Sequence, residues 1–431
     1  MSAESEASSL ADGTTVFSIP ARLKWIARHN PTGFRPGERF VDEVASEPFR
    51  QLTGWRHTHV LEETPLADGN TATVLDDTVE TKVPVPGLGS IFAYRATKIA
   101  GDLAAVDRLV QYVGHAPEPV RVAVSGATGT VGTQLRALLT TAGHEVISLV
   151  RSREQVGPGA RYWDTEAPAA DLLEGLDAVV HLAGAPIAGR FTDAHLEKVR
   201  HSRVEPTRAL AELIAATDSV KVAVGASAVG FYGADRGQEV LTEQAAPGPE
   251  SQRFDGTPAT DNLAAIVRDW EDAWEPARAA GKRVVNVRTG LVLAGGGGLL
   301  PLLAGVVFTG LGGKLGSGEQ WFPWIALDDL LDIYHRALVD PALDGPVNAV
   351  APLTSGVNNA EFTKVLGKVL HRPTAIPVPA FGPVVFLGKR GAEELALANQ
   401  RVDAAALQQA GHRFRFTSLA DALRHELLKE S

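Results

Sequence analysis

Three glycines at three-residue spacing, Gly126, Gly129 and Gly132, lie between an apolar run and an amphipathic segment. In such a turn the first glycine permits the reversal of the chain. The second lets backbone amides approach a pyrophosphate, and the third lets the following helix pack closely on a sheet. That helix directs unpaired N–H groups and a positive dipole at the phosphate oxygens. The spacing predicts a dinucleotide-binding turn, with an ordinary glycine-rich turn as the alternative.

The segments on either side of the glycines must position such a site. Val122 and Val124 predict a short buried strand, residues 134–141 predict a helix, and residues 146–150 predict a second apolar strand. Gly143 separates the helix from the second strand. This order is that of the first βαβ half-unit of a dinucleotide-binding fold, which favours the cofactor interpretation.

The residue that follows the second strand discriminates between cofactors. NAD-specific sites usually place an Asp or Glu there for the ribose hydroxyls, whereas this chain has Arg151 and no acid before Glu154. An arginine forms charge-assisted hydrogen bonds with a 2′-phosphate. The sequence therefore predicts NADP(H), with a solvated surface arginine as the alternative. Asp164, further along, is interpreted either as an adenine contact or as the start of a turn.

The composition argues against several classes of function. The 431 residues carry a net charge of −10 and no cysteine. The charge argues against nucleic acid or an anionic membrane as the main partner, and the lack of cysteine excludes disulfides, thiolate metal ligands and cysteine nucleophiles. No metal site is predicted. Residues 1–14 are predicted to be a disordered tail rather than a signal peptide. No apolar run is long enough to span a membrane, so a cytoplasmic location is expected.

Residues 15–115 form a predicted N-terminal domain that differs from the rest of the chain. Its β-type runs predict an antiparallel sheet. These runs are residues 15–19, 55–61, 71–75 and 78–83. A helix is predicted for residues 99–112, while the period of residues 91–97 fits either a strand or the first turns of that helix. His57 and His59 are interpreted as ordinary surface positions on a strand, with a polar ligand contact as the alternative.

A linker at residues 116–120 precedes a nucleotide-binding domain at residues 121–295, and a substrate lobe is predicted for residues 296–431. Further core strands and helices of the nucleotide-binding domain follow from the apolar pattern. The strands are predicted at residues 177–184, 221–226 and 283–293, and the helices at residues 192–216 and 262–280. Side chains at strand ends and on the first of these helices are placed to meet the cofactor. They are Leu182, Ala183 and Gly184, then Lys198 and Arg203, then Ser227 and Tyr232.

The order of motifs identifies a family. SGATGTVG, HLAGAPIAGRFT, GASAVGFYG and GSGEQWFPWIALDDL, with others between them, resemble the epimerase-like atypical short-chain dehydrogenase/reductases, often labelled sugar-nucleotide epimerase-like oxidoreductases. The resemblance runs from Arg121 to the C-terminus and includes the group's C-terminal extension. RPGERFVDEVASEPF and GWRHTHVLEE resemble part of an SRPBCC (START-like) domain. The resemblance implies an α/β fold. A Rossmann-type doubly wound parallel sheet with a smaller C-terminal substrate lobe would follow a partial α+β domain, an antiparallel sheet plus a C-terminal helix.

The resemblance also implies which residues meet the ligands. The cofactor residues are Gly126, Thr128, Gly129, Thr130, Val131, Gly132, Val150, Arg151, Leu182, Ala183, Lys198, Arg203 and Val292. Gly184 and Asp164 join them from the residue-level interpretation above. Arg288, Trp321 and Trp324 are expected to line the substrate cleft, with packing between core and lobe as the alternative for the tryptophans.

The usual catalytic pair is missing. Short-chain reductases use Tyr-x-x-x-Lys, in which the lysine lowers the pKa of the tyrosine, but residues 261–268 contain neither residue. Ala326 stands where the group usually has a histidine. Ser227 and Tyr232 remain as catalytic candidates, and a buried tyrosine that holds a strand-end turn is the alternative for Tyr232.

Three functions remain open. The first is an NADP(H)-dependent oxidoreductase that transfers hydride to or from a small carbonyl or alkene. The second is a non-catalytic NADP(H)-binding sensor or partner-binding protein, and the third is a nucleoside-diphosphate-sugar epimerase. The expected partner is a small-molecule substrate, with a ligand or protein contact through the N-terminal domain as a further option.

Overall fold

The computed structural model describes residues 13–19, 23–66, 71–248, 251–252, 258–259, 261–310 and 312–429. They form two compact units that divide between Gly89 and Ser90. The predicted disordered tail lies outside the described residues except for its last two positions. No helix of the described part of the chain is long and apolar enough to cross a membrane.

The first unit is a five-stranded antiparallel sheet whose strands follow chain order. Its elements are β1 (Thr14–Ile19), β2 (Leu23–His29), β3 (Arg39–Val44), α1 (Phe49–Thr53), β4 (Arg56–Pro65) and β5 (Thr71–Glu80). The predicted antiparallel sheet is confirmed, but the two runs separated at residues 76–77 are one strand. The pattern suggests a break there because aspartate is disfavoured in strands. In the structure the strand continues through this point, and Asp77 lies opposite His59 of β4.

His57 and His59 are buried, so their interpretation as surface positions is wrong. Alternate residues of a strand share one face, and both rings lie on the face that carries Asp42 of β3 and Asp77 of β5. The ring nitrogens contact these two carboxylates. Partners on neighbouring strands therefore offset the desolvation of the imidazoles, and the pattern of a single strand does not reveal them.

A long helix, α2 (Leu88–Val113), leads into the second unit, so the strand alternative for residues 91–97 is wrong. Partly buried ion pairs hold this helix to the rest of the second unit. Arg415 Nη1 lies 2.8 Å from Asp102 Oδ1, and Arg108 Nη2 lies 3.1 Å from Asp332 Oδ2. Asp332 also forms a two-point contact with Arg415. Burial of these charges is compensated because each carboxylate meets a cation.

The second unit alternates strands and helices. After α2 its elements are β6 (Arg121–Ser125), α3 (Thr130–Thr141), β7 (Glu145–Val150), β8 (Ala160–Tyr162), β9 (Ala178–His181), α4 (Asp193–Ala216), β10 (Val222–Ala228), β11 (Asp235–Leu241), β12 (Ser251–Gln252), β13 (Pro258–Ala259), α5 (Asn262–Asp272), α6 (Glu275–Ala279), β14 (Arg283–Thr289), β15 (Leu291–Leu293), α7 (Leu300–Phe308), β16 (Trp321–Phe322), β17 (Trp324–Ala326), α8 (Leu327–Val339), β18 (Gly345–Ala349), β19 (Val357–Asn358), α9 (Asn359–Leu370), α10 (Gly382–Gly391), β20 (Asn399–Val402), α11 (Ala405–Gln409) and α12 (Leu419–Glu426).

Seven parallel strands form the core of this unit in the order β18-β14-β10-β9-β6-β7-β8. Helices cover both faces of the sheet. Val122 and Val124 of β6 pack in the cluster that holds side chains of α3 and α8. Ala123 points to the opposite face, where α4 and α6 contribute to the apolar cluster. The predicted Rossmann-type doubly wound sheet is therefore confirmed.

Two predicted elements of the core are corrected. Residues 283–293 are not one final strand, because the chain leaves the sheet at Gly290, where a Cβ atom would lie 2.4 Å from the carbonyl oxygen of Pro323. β15 pairs with β17 instead, and β18 extends the main sheet beyond β14. Residues 262–280 form two helices rather than one. Pro276 lies in the first turn of α6, where its missing N–H is tolerated, but it would interrupt a continuous helix.

Candidate functional site

The glycine turn joins the carboxyl end of β6 to the N-terminus of α3. Gly126 has φ +66°, and a Cβ atom on it would lie 2.8 Å from the carbonyl carbon of Leu182. A Cβ atom on Gly132 would lie 2.2 Å from the carbonyl oxygen of Gly126. The first turn of α3 is therefore pressed against the turn that precedes it. Thr128 is exposed at the mouth of the turn, which leaves backbone N–H groups open to an anion.

A buried hydrogen-bond centre fixes the end of β9 beside this turn. Ser125 Oγ lies 2.7 Å from His181 Nδ1, and it accepts from the backbone N–H groups of Leu182 at 3.1 Å and Ala183 at 3.3 Å. Burial, followed by the charge of Arg203, lowers the pKa of His181 to about 4. The imidazole is therefore neutral. Because Ser125 Oγ already accepts from two backbone N–H groups, its hydroxyl donates the hydrogen bond to His181 Nδ1.

Ser125 and His181 were not among the residues predicted from the sequence. They face each other because β6 and β9 pair in parallel with Ser125 opposite His181. The sequence does show a polar residue at the last position of each of these two apolar strands. This pattern predicts a contact only when it is also known that the two strands are neighbours in the sheet. Together the two side chains set the distance between the glycine turn and the loop at residues 182–184.

Arg203 of α4 is a buried cation beneath that loop. It donates to the carbonyl oxygens of Ala185 at 3.0 Å and Val199 at 3.2 Å, and a Cβ atom on Gly184 would lie 3.0 Å from its Cζ. Burial lowers the pKa of Arg203 to about 10, so it remains charged at neutral pH. It makes no ion pair with any carboxylate of the described residues. A buried positive charge of this kind favours an anionic ligand.

Arg151 lies directly after β7 with its side chain exposed, and within the described ranges no carboxylate pairs with it. Its neighbour Arg153 instead packs on an aromatic ring, with Cζ 4.2 Å from the centroid of Tyr162. Asp164 accepts from the backbone N–H groups of Glu166 at 3.1 Å and Ala167 at 3.2 Å. These bonds lower the pKa of Asp164, and they favour its interpretation as the start of a turn.

Other predicted cofactor residues differ in where the structure places them. Gly129 is the N-cap of α3, and Thr130 begins that helix. A Cβ atom on Gly297 would lie 2.4 Å from Thr130 Oγ1, so the loop after β15 approaches the glycine turn. Val292 is half-buried within β15, whereas Lys198 is exposed on α4.

Ser227 and Tyr232 belong to one buried polar network at the end of β10. Ser227 Oγ donates to Glu271 Oε1 at 2.5 Å. Arg288 meets both oxygens of Glu271, with Nε 2.9 Å from Oε1 and Nη2 2.8 Å from Oε2. Arg288 Nη1 also donates to Tyr232 Oη at 3.1 Å, and Tyr232 Oη donates to Asn348 Oδ1 at 2.7 Å. The network links β10, α5, β14 and β18.

This network leaves neither candidate group open to a substrate. Tyr232 is 0% exposed, and burial raises the pKa of its phenol. Arg288 is buried as well, with Cζ 3.5 Å from the ring centroid of Phe231. The geometry favours the alternative for Tyr232, a buried tyrosine that holds the strand-end turn. It also places Arg288 in an internal ion pair rather than in a substrate cleft.

The two tryptophans of the aromatic segment after residue 320 differ in their burial. Trp324 is buried in an apolar cluster with Phe362 and Leu423, which favours the packing alternative. Trp321 is half-buried, its Nε1 donates to Gln238 Oε1 at 3.1 Å, and Arg401 lies over its ring. Trp321, Trp324 and Gln400 are among the residues that line one small cavity.

Comparisons of the chain with known protein families and relatives identify its family. Residues 122–255 match the family described as the NAD dependent epimerase/dehydratase family, and residues 378–426 match a domain of unknown function, DUF1731. An epimerase family protein from Mycobacterium bovis is 36% identical over 305 residues, which cover 70% of this chain and 96% of the relative. The predicted resemblance to epimerase-like short-chain dehydrogenase/reductases is thereby confirmed, while the SRPBCC-like character of residues 15–115 stays a prediction.

Two solved structures share the fold. The crystal structure of a nucleoside-diphosphate sugar epimerase from Corynebacterium glutamicum has 45% sequence identity and a TM-score of 0.81, and the match covers 99% of this chain and 82% of that one. The human epimerase family protein SDR39U1 (isoform 2), solved with NADPH, has 33% identity and a TM-score of 0.63. Here the match covers 71% of this chain and 99% of the human chain.

Proposed function

The chain belongs to the NAD dependent epimerase/dehydratase family, and from this premise we propose that it is an NADP(H)-dependent oxidoreductase acting on a small carbonyl or alkene. The observation that carries the proposal is Arg151, a cation without a carboxylate partner in the described chain at the strand end where an NAD site has an acid. The human relative SDR39U1 was solved with NADPH, which supports the same cofactor here.

The residues of the edge described above fit NADP(H). The N-terminus of α3 and the glycine turn would hold the pyrophosphate, with Arg203 beneath the neighbouring loop at residues 182–184 as a fixed positive charge. Arg151 would hold the 2′-phosphate through charge-assisted bonds. Ser125 and His181 would keep residues 182–183 in place against the rings of the bound cofactor. When bound, the nicotinamide supplies or accepts a hydride.

In this proposal the chain positions the substrate against the nicotinamide and supplies no Tyr-x-x-x-Lys proton relay. The face of α5 that would carry Tyr-x-x-x-Lys instead buries Leu263, Ile266 and Val267. A simple ketone needs a protein acid when it is reduced, whereas an enone or a quinone forms a stable enolate or phenolate that takes its proton from water. We therefore expect enones and quinones to be better substrates than ketones, with catalysis coming from proximity and orientation.

A turnover assay tests this function. NADPH absorbance is followed with aldehydes, ketones, quinones and enones, using the full-length chain. We expect oxidation with at least one enone or quinone, and we expect a Tyr232→Phe variant to keep most of it, because that phenol is closed to substrate. Failure of every acceptor, alongside tight NADPH binding, would contradict the oxidoreductase and favour a non-catalytic role.

That non-catalytic role is the second candidate. It would be an NADP(H)-binding sensor or partner-binding protein, and the closed network around Ser227 and Tyr232 favours it.

Sugar-nucleotide epimerisation is the third candidate, because the similar protein from Corynebacterium glutamicum is described as a nucleoside-diphosphate sugar epimerase. The reaction requires a group that takes a proton from a sugar hydroxyl, and the buried Tyr232 does not offer one. A nucleoside-diphosphate sugar in the same assay, with the epimer ratio measured, tests this candidate. A change in that ratio would favour epimerisation over the oxidoreductase.

The preference for NADP(H) makes a specific prediction. Replacing Arg151 with alanine is expected to raise the Kd for NADPH about 10- to 100-fold, because a charge-assisted hydrogen bond contributes about 1.5–3 kcal/mol. The Kd for NADH should change little. Arg153→Ala is the matched control, because that guanidinium packs on Tyr162 instead. If the Arg151 variant raises the Kd for NADPH and the Kd for NADH equally, this residue does not bind the 2′-phosphate.

A further inference from the structure

We propose that the five-stranded sheet of the first unit binds a divalent transition-metal ion through Asp42, His57 and His59, and that Asp77 orients the two imidazoles. The site lies on β3, β4 and β5, and every ligand belongs to the first unit. It is independent of the cofactor site, which consists only of residues of the second unit.

The register of the sheet brings these side chains together. Asp42 pairs with His57 across β3 and β4, and His59 pairs with Asp77 across β4 and β5. His57 and His59 are two residues apart on one strand, so they project from the same face. Directly paired and diagonal neighbours on one face of a sheet are within side-chain reach. The four side chains therefore form one group across β3, β4 and the edge strand β5.

The donor atoms on the Asp42 side already have the spacing of a metal site. Asp42 Oδ2 lies 3.3 Å from His57 Nδ1 and 3.1 Å from His59 Nε2, and the three donor atoms all lie within 4.8 Å of one another. Tetrahedral bonds of about 2.0–2.1 Å to Zn²⁺ separate neighbouring donor atoms by about 3.3 Å. The two distances from Asp42 Oδ2 match this spacing.

Asp77 is placed as the outer partner of both histidines. Its Oδ1 lies 3.2 Å from His57 Nε2 and 2.6 Å from His59 Nδ1, which are the ring nitrogens opposite those that face Asp42. Metal-binding histidines commonly donate their second N–H to a carboxylate, which fixes the tautomer and the ring orientation. Asp77 would thus hold one proton on each ring, with His57 Nδ1 and His59 Nε2 on the side that faces Asp42.

The charges of the group are compatible with a divalent cation. A neutral imidazole carries one N–H, but each of the two rings has a carboxylate at both nitrogens. The centroids of the two rings are only 3.8 Å apart. One divalent ion with two carboxylates and two neutral imidazoles balances the charge. This balance matters because the His57 and His59 side chains are only 10% and 5% exposed.

Aromatic neighbours hold the histidines in place. Phe40 stacks on His59 at 3.9 Å with an interplanar angle of 14°, and Trp55 meets His57 edge-on at 6.1 Å. Fixed rings pre-organise a metal site. Two imidazoles and one carboxylate suit Zn²⁺ or Fe²⁺ and leave a coordination position for water or another ligand. The pair of residue types H-x-H on a strand, with carboxylates on both neighbouring strands, thus points to a transition metal rather than to Ca²⁺ or Mg²⁺.

Zn²⁺ and Co²⁺ are the probes for the test. The full-length chain is stripped with a chelator, and Zn²⁺ binding is measured by competition with a chromogenic chelator. We expect one equivalent per chain, a visible Co²⁺ spectrum typical of low coordination number, and a melting temperature that rises with Zn²⁺ concentration because the ion binds the folded state. Asp42→Asn and His59→Gln should abolish stoichiometric binding, and Asp77→Asn should weaken it about 10- to 100-fold.

His115→Gln is the matched control, because this exposed histidine lies outside the sheet. It should bind Zn²⁺ as the unaltered chain does. The proposal is overturned if the unaltered chain binds less than one equivalent, or if Zn²⁺ binding and the Co²⁺ spectrum survive in the Asp42 and His59 variants. If those variants unfold, the test rests on the unaltered chain. A missing Co²⁺ spectrum together with a melting temperature that does not change with Zn²⁺ would then refute the site.

Discussion

Replacing Gly132 with alanine is expected to weaken NADPH binding about 100-fold or more. The added Cβ atom would lie 2.2 Å from the carbonyl oxygen of Gly126 and 2.9 Å from Cα of Ala127. Both contacts are with backbone, so no side chain can move aside, and α3 must withdraw from the turn. Overpacking of this kind costs about 1–3 kcal/mol or more, and here it displaces the N–H groups that face the phosphates. Fluorescence titration with NADPH measures the loss.

Gly305→Ala is the matched control for this change. Gly305 lies in α7, and a Cβ atom on it meets nothing within 4 Å. This variant should bind NADPH normally and gain about 0.5–1 kcal/mol of stability, because alanine is the better helix former. If the Gly132 variant folds and binds NADPH as tightly as the control, the glycine turn is not the phosphate site.

The second large effect is expected from Glu271→Gln. Glu271 accepts from Ser227 and forms a two-point ion pair with Arg288, and both partners of that pair are buried. The variant leaves the Arg288 charge buried without a carboxylate, and breaking a buried pair in this way costs about 3–5 kcal/mol. We expect the free energy of unfolding, measured in urea, to fall by that amount.

Asp269→Asn provides the comparison on the same helix. Asp269 pairs with Arg200 at 2.9 Å, but these side chains are 44% and 37% exposed, so its loss should cost less than about 1 kcal/mol. A similarly small loss in the Glu271 variant would show that the network around Ser227 and Tyr232 adds little to stability. A purely structural role for these two groups would then be contradicted.

The glycine turn and its flanking elements could be predicted because all their signals are local. The strand, the turn and the helix of residues 121–150 lie within thirty residues, and each glycine has a role in its own neighbourhood. Arg151 follows from the same stretch. Local pattern also predicted the antiparallel sheet of the first unit, although it divided β5 at Asp76 and Asp77, two residues with low strand propensity.

The remaining features depend on pairing between distant strands. Ser125 meets His181 across 56 positions, and Glu271 meets Arg288 only after β14 is placed beside β10. Asp42, His57 and Asp77 lie on three strands whose register no single segment determines. For this reason the sequence pattern indicated surface histidines and no metal site. The closure of Tyr232 to substrate likewise depends on partners that are distant along the chain.

The central claim is that this chain holds NADP(H) through the glycine turn and Arg151. The most direct test is an equilibrium titration of the full-length protein with NADPH and, separately, with NADH at the same ionic strength. We predict a Kd for NADPH at least about tenfold lower than that for NADH, since the 2′-phosphate adds a charge-assisted contact. Equal affinity for the two cofactors, or tighter binding of NADH, would contradict this account.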